Sequence, residues 1–224
     1  YEMSASLVGS EMCIRDSGGT PNWGTNWGAG DVMYANLDGK EGVNNGSNTL
    51  EDHGDLTIIG NNTPRYNFGL TLTGAWKGFD FSVFLQGVMK RDYWLDGPYF
   101  WGANGGLWQS TAFKEHMDYW RPEGDPLGAN TNAYYPKPYF NTDKNQKVQS
   151  GYLQNAAYCR LKNAQIGYTL PKTWTRKAAM ESVRVYVSGD NLVTFSGISG
   201  VFDPELLGSD WGDGKLYPLS LIHI

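Results

Sequence analysis

Carboxylates are the commonest groups in this chain with chemistry to offer. There are 23 Asp and Glu against 18 Lys and Arg and three His, in 224 residues. Glu115, Glu123, Asp125 and Asp143 fall within one polar stretch, and a pair of carboxyl groups flanking a sugar linkage is what glycoside hydrolysis requires. Their neighbours are turn formers, among which carboxylates ordinarily sit in water, so the pattern marks no glycosidase. Nucleophilic chemistry of the Ser-His-Asp kind has no Gly-x-Ser-x-Gly turn to hold its serine. His53, His116 and His223 are scattered, Cys13 and Cys159 lie far apart, and no metal-ligand spacing appears. His53 and His116 read as exposed loop residues. The residues thus predict no catalytic centre, no metal site and no cofactor.

Aromatic residues are the better lead. Tyr93, Trp94, Tyr99, Phe100, Trp101, Trp108, Tyr119, Trp120, Tyr134, Tyr135 and Tyr139 crowd into one excursion. Their faces offer apolar area to sugar C–H surfaces or peptide side chains, and their edges leave room for hydrogen bonds. Trp94, Trp101, Trp108 and Trp120 are the candidates to line a substrate vestibule. The competing expectation is that these rings pack the excursion against itself or against a covering partner.

What must position that excursion is a pair of amphipathic strands, Tyr66–Trp76 and Phe79–Trp94, joined by the shortest of turns. Tyr66, Phe68, Leu70, Leu72 and Trp76 share one parity, and Asn67, Gly69, Thr71 and Thr73 the other. Phe79, Phe81, Val83, Leu85 and Met89 alternate with Asp80, Ser82 and Gln86, with Phe84 and Val88 as exceptions. Strand side chains alternate faces, so one face is oily and the other small or polar. Each run matches the ~9–11 residues of a tilted membrane-crossing strand, and aromatics stand near the run ends, where a barrel's girdles belong. The same period also fits an amphipathic hairpin of a soluble sandwich.

Two further strands are expected. Tyr158–Leu170 alternates Tyr158, Ala164, Ile166, Tyr168 and Leu170 against Asn163, Gln165, Gly167 and Thr169; Arg160 and Lys162 share the apolar parity at one end, within reach of a headgroup zone. Ser182–Phe195 sets Val183, Val185 and Val187 against Arg184, Tyr186 and Ser188. Elsewhere the pattern predicts a short strand at Asp31–Tyr34, an apolar patch at Thr57–Ile59, a short helix over Ser110–Trp120 capped by Ser110 or Thr111, and a basic connector at Lys172–Ala179. Connections alternate long and short, as in bacterial outer-membrane barrels, and a loop as long as Leu95–Ser150 is unusual in a compact soluble domain.

The whole chain is consistent with one sizeable all-β unit. Mean hydropathy is −0.47, and no run approaches the ~18 consecutive apolar residues of a membrane helix. A net charge of −5 with no basic stripe argues against nucleic acid as a partner. The N-terminus lacks a basic segment followed by an apolar core. Ala5–Ser17 and Leu219–Ile224 resemble strings that arise when sequencing-adapter DNA is translated. The expectation is that 1–17 and 219–224 are non-native, that 18–218 carries the fold, and that the natural termini are missing. The alternative is an ordinary N-terminal loop and a short terminal strand.

Ordered motifs carry a family resemblance. Gly30-Asp31-Val32-Met33-Tyr34, Leu37-Asp38-Gly39 and Thr57-Ile58-Ile59-Gly60-Asn61 come first. Tyr66-Asn67-Phe68-Gly69, Lys77-Gly78-Phe79-Asp80-Phe81 and Trp120-Arg121-Pro122-Glu123 follow. Tyr158-Cys159-Arg160-Leu161-Lys162-Asn163, Ile166-Gly167-Tyr168-Thr169-Leu170-Pro171 and the run from Val183 to Phe195 continue them, then Asp203-Pro204-Glu205 and Tyr217-Pro218. Over about Gly28–Pro218 the chain resembles SusC/RagA-type TonB-dependent transporters. Cys159 departs from the family's usual Leu.

The resemblance implies the C-terminal barrel part of an outer-membrane transporter that imports glycans or peptides and is not an enzyme. The cell would be a Gram-negative bacterium of Bacteroidetes type. The implied partners are a SusD-like surface lipoprotein, the TonB complex acting through an N-terminal plug absent here, and outer-membrane lipid. The implied fold is all-β, antiparallel strands of a transmembrane β-barrel, present as an incomplete open curved sheet with long extracellular loops. Family members often carry a calcium-like loop after the Gly-Asp-Val-x-Tyr element; Asn36, Asp38 and Gly39 survive, but Lys40 stands where an acidic residue belongs. The runner-up is a soluble secreted β-sandwich that binds carbohydrate, which would bury its apolar faces between two sheets.

Overall fold

The computed structural model describes residues 2–7, 27–40, 42–102, 113–140, 142, 144–198, 200 and 202–207. They fall into two compact units. One is drawn from Tyr1–Thr63, Asp92–Gln154 and Leu206–Leu216, and the other from Pro64–Arg91, Asn155–Glu205 and Tyr217–Ile224. The strands in chain order are β1 (Glu2–Leu7), β2 (Leu56–Asn61), β3 (Arg65–Trp76), β4 (Phe79–Lys90), β5 (Asp92–Trp94), β6 (Leu153–Asn155), β7 (Tyr158–Thr169) and β8 (Arg184–Ser196). Two one-turn helices, α1 (Pro98–Trp101) and α2 (Lys172–Thr175), lie between them. Among the described residues no helix is long and apolar enough to cross a membrane.

The second unit is a four-stranded antiparallel sheet in the order β3-β4-β7-β8, with β3 and β8 as its edges among the described residues. Its first hairpin turns on Lys77 and Gly78, whose φ values are 47° and 89°. Positive φ at both central residues matches a tight turn to the strands' own right-handed twist. Trp76 then pairs Phe79, and the register runs unbroken to Arg65 opposite Lys90.

Cross-strand partners share a face. One face therefore carries Phe68, Leu70, Leu72 and Trp76, then Phe79, Phe81, Val83, Leu85 and Met89, then Ile166 and Tyr168, then Val185, Val187, Val193 and Phe195. Among the described residues nothing covers its outer positions: Trp76 is 70% exposed, Val187 71% and Phe195 68%. The opposite face is polar and hydrogen-bonded. Arg184 reaches Asp80 at 3.0 Å across two strands, and Asn163 donates to Asp190 at 2.7 Å.

The third strand departs from simple alternation. Phe84 pairs Asn163 but Leu85 pairs Leu161, so Lys162 is an extra residue in β7, and β8 shifts at the same level. A bulge resets parity. Beyond it Leu161 and Cys159 join the oily face, while Tyr158 and Arg160 turn to the polar one. This corrects the expectation that Arg160 reaches a headgroup zone: its guanidinium is buried, 2.8 Å from Asp203, 2.9 Å from Glu205 and, through Nε, 2.7 Å from Thr194. Lys162 meets Glu205 at 2.7 Å.

The other unit differs from the sequence expectations in detail. The Phe79–Trp94 run breaks at Arg91, after which β5 leaves β4 and pairs with β6. The helix expected over Ser110–Trp120 is a single 3-10 turn, Lys114–Met117, and residues 110–112 lie outside the described set. Asp31–Tyr34 is no strand; Val32 instead donates its N–H to Asn145. Glu2–Leu7 pairs with β2, whereas 8–17 and 219–224 are not among the described residues.

Candidate functional site

The aromatic excursion folds around rings that meet edge to face, the arrangement their quadrupoles prefer. Gly97, at a φ of 81°, turns the chain into α1, and its carbonyl accepts the Trp101 N–H at 3.1 Å. That sets Phe100 and Trp101 side by side, 4.9 Å apart at 82°. Trp101 stands 4.9 Å from Tyr152, and Tyr134 lies 4.8 Å from Tyr135 at 90°. Tyr152 is fully buried, and its hydroxyl donates to the Tyr134 carbonyl at 2.6 Å. Burial pushes the phenols of Tyr135 and Tyr152 far up, so both are neutral donors at any physiological pH.

The four candidate tryptophans do not form one surface. Trp94 is half-buried, 6.0 Å from the Trp101 ring. Trp101 belongs to the wall of a cavity of about 260 Å³ shared with Phe113, His116, Met117, Tyr135 and Phe140. Trp120 is buried elsewhere, lying flat on Gly30, where a Cβ would come within 2.4 Å of its ring. Trp108 lies outside the described residues. Self-packing of the rings thus accounts for most of the cluster, and Trp101 faces a cavity as well.

A buried polar clasp closes the same unit. Asp31 accepts from the Gly28 N–H at 2.7 Å and from Asn145 at 3.0 Å, and pairs with Lys144 at 2.8 Å. Burial pushes its carboxyl pKa up, but the hydrogen bonds from Lys144, Asn145 and Gly28 outweigh that and hold it below the usual value. The motif Gly30-Asp31-Val32 signalled half of this clasp. Lys144 and Asn145 carried no signal, because their role depends on a contact across 113 residues and more.

The loop after it does not fit a calcium ion. Asp55 spends both oxygens on the N–H groups of Leu37, Asp38 and Asn44. Asn36 is bonded to Gly39, Lys40 and Gly42. The Lys40 ammonium sits 3.2 Å from Asp38 and 3.7 Å from Asp52, where a cation would have to be. Among the described residues no cluster of three His, Cys, Asp or Glu can hold a metal.

The carboxylates of the excursion hold turns. Asp125 accepts the Leu127 N–H at 2.8 Å, Glu123 is exposed, and Asp143 lies outside the described residues. His116 is half-buried rather than exposed. Its Nδ1 accepts the Phe113 N–H at 2.9 Å and its Nε2 faces the Tyr99 and Phe100 carbonyls at 3.1 Å, so it braces α1 against the 3-10 turn.

No family model matches the chain. Its sequence does match known proteins. TonB-dependent receptor P3 of Formosa agariphila is 31% identical over 176 residues, 79% of this chain, and TonB-dependent receptor P26 of the same organism is 27% identical over 70% of it. The chain belongs to the TonB-dependent receptor family. It spans about 15% of the length of each of these relatives. In structure it resembles the RagAB peptide transporter, with a TM-score of 0.54 and 24% identity over 79% of this chain and 18% of that one, a likeness of fold. As a TonB-dependent receptor segment the four-stranded sheet is part of a barrel wall, which explains a sheet with one uncovered oily face and one hydrogen-bonded polar face.

Proposed function

We propose that residues 18–218 form the C-terminal part of the barrel of an outer-membrane TonB-dependent transporter that imports glycans or peptides. Strands β3, β4, β7 and β8 cross the membrane, and the aromatic excursion lies on the extracellular side. A SusD-like lipoprotein caps it, and the TonB complex drives it through a plug. Of the candidates Trp94, Trp101, Trp108 and Trp120, the first three are proposed to border the vestibule, and the buried Trp120 to support it from behind. Residues 1–17 and 219–224 are proposed to be non-native.

The observation that carries this reading is the uncovered apolar face. In water a contiguous apolar face running across four strands is not what a monomer ordinarily exposes, and in lipid it is the required surface. A soluble sandwich would bury Trp76, Val187 and Phe195 under a second sheet. That the structurally similar RagAB is a peptide transporter favours peptide over glycan.

The test is topological. Two copies of the full-length receptor are expressed in a Gram-negative host, one with a protease site inserted at Gly124 and one at Lys77. Intact cells should be cut at Gly124 alone, with cleavage at Lys77 appearing only after the outer membrane is permeabilised. Recovery in the soluble fraction, or equal cleavage at both sites in intact cells, would sink the reading.

A further inference from the structure

The cavity beside Trp101 has a composition that selects its occupant. Apolar groups of Trp101, Phe113, Met117, Pro136 and Phe140 make most of its wall, and among the described residues no Asp or Glu lines it. Three ionisable basic residues do: His116, Lys137 and Lys144. Lys144 is neutralised by Asp31 at 2.8 Å. His116 has both ring nitrogens engaged with backbone groups. Lys137 is exposed, its ammonium 5.6 Å from the Tyr139 ring, and among the described residues no carboxylate pairs with it. Trp101 adds a buried indole N–H with no acceptor among the described residues.

We infer that this cavity binds a single apolar side chain of a peptide, with an acidic group of the same peptide paired to Lys137. The inference rests on the transporter reading and narrows its substrate class. A cavity of about 260 Å³ lies just under the usual range for whole ligands, roughly 300–1,000 Å³, so it accommodates one side chain while the rest of the peptide stays outside. A sugar ring is the poorer occupant. Its hydroxyls would leave water for a wall that among the described residues is mainly carbon and offers no carboxylate, and unpaired polar groups are costly to bury. An apolar ring gains by edge contacts with Trp101 and Phe113. An anion at the rim meets the exposed Lys137 ammonium, which no carboxylate among the described residues pairs or opposes on the wall, so charge selects the peptide's acidic group.

Isothermal titration of the full-length receptor in detergent with three capped dipeptides tests this. The probes are acetyl-Phe-Asp-amide, acetyl-Ala-Asp-amide and acetyl-Phe-Asn-amide. The first is expected to bind at least tenfold more tightly than either of the others. Met117→Trp fills the cavity from an exposed position and should abolish the preference for Phe over Ala. Lys137→Gln, a surface change that keeps the backbone bond to Gly30, should abolish the preference for Asp over Asn. Equal binding of the three probes, a tenfold preference that survives both substitutions, or displacement of the first probe by maltohexaose would overturn the inference. Binding in detergent requires no import. A receptor that passes the topology test yet binds the probes equally loses only this pocket, and one that discriminates the probes but fractionates as soluble loses only the transporter reading.

Discussion

Arg160 and Asp203 lie 43 residues apart and meet at 2.8 Å, because an extra residue in β7 turns the arginine to the polar face of the sheet. Glu205 completes the cluster at 2.9 Å from the same guanidinium. The segment after β8 is thereby tied back to the sheet it has just left, and three charged groups are taken largely out of water together.

Removing the cation should therefore cost more than the pair is worth. Arg160→Leu leaves two carboxylates with Lys162 alone and is expected to destabilise the receptor by about 3 kcal/mol, the usual penalty for orphaning a buried charge. Adding Asp203→Asn and Glu205→Gln should restore part of that loss. Denaturant unfolding of the parent, the single mutant and the triple mutant in detergent measures it, and a single mutant no less stable than the parent would refute the buried cluster.

Gly30 is expected to tolerate nothing larger. Its φ is +88°, and an added Cβ would lie 2.4 Å from the Trp120 ring. Gly39 has a φ of +70° but open space around it. Gly30→Ala combines backbone strain of about 1–3 kcal/mol with displacement of a buried indole, whereas Gly39→Ala carries the strain alone. Limited proteolysis of the excursion should accelerate in the first variant and change little in the second.

The clasp at Asp31 makes the excursion sensitive to acid. Its carboxyl is held below the unfolded value by Lys144, Asn145 and Gly28, so the folded state binds fewer protons than the unfolded one. The stabilisation is fully present above pH of about 4 and is lost as pH falls through the lower, folded pKa. The melting temperature of the parent should drop below pH 4 more steeply than that of Asp31→Asn, which starts lower and has no such proton to take up. Parallel profiles would remove Asp31 from the account.

Val187 distinguishes lipid from water. At an exposed site in water, Val187→Arg is nearly neutral. On the lipid face of a barrel the same change costs about 2–4 kcal/mol near the midplane. The yield of folded, heat-modifiable receptor in the outer membrane should fall in Val187→Arg and hold in Ser188→Arg on the opposite face. Equal yields would argue against a lipid-facing sheet.

The strands were legible in the chain itself. Alternation from Phe68 to Trp76 and from Phe79 to Leu85 is a local pattern, since neighbouring side chains in a strand must point to opposite faces, and the Lys77-Gly78 turn pins the register. Family membership was legible too, in ordered motifs from Gly30 to Glu205. Tertiary structure alone decided the rest. Arg160 has the parity of an outward residue, and only pairing with β4 and β8 shows that Lys162 is surplus and that Arg160 turns inward. No local signal joins Asn145 to Asp31, or marks Trp101 as the tryptophan on a cavity wall and Trp120 as the one under Gly30. Hydrophobic period reports which face a residue takes within an unbroken strand, whereas bulges, buried ion clusters and loop cavities arise from contacts between segments that the chain brings together only by folding.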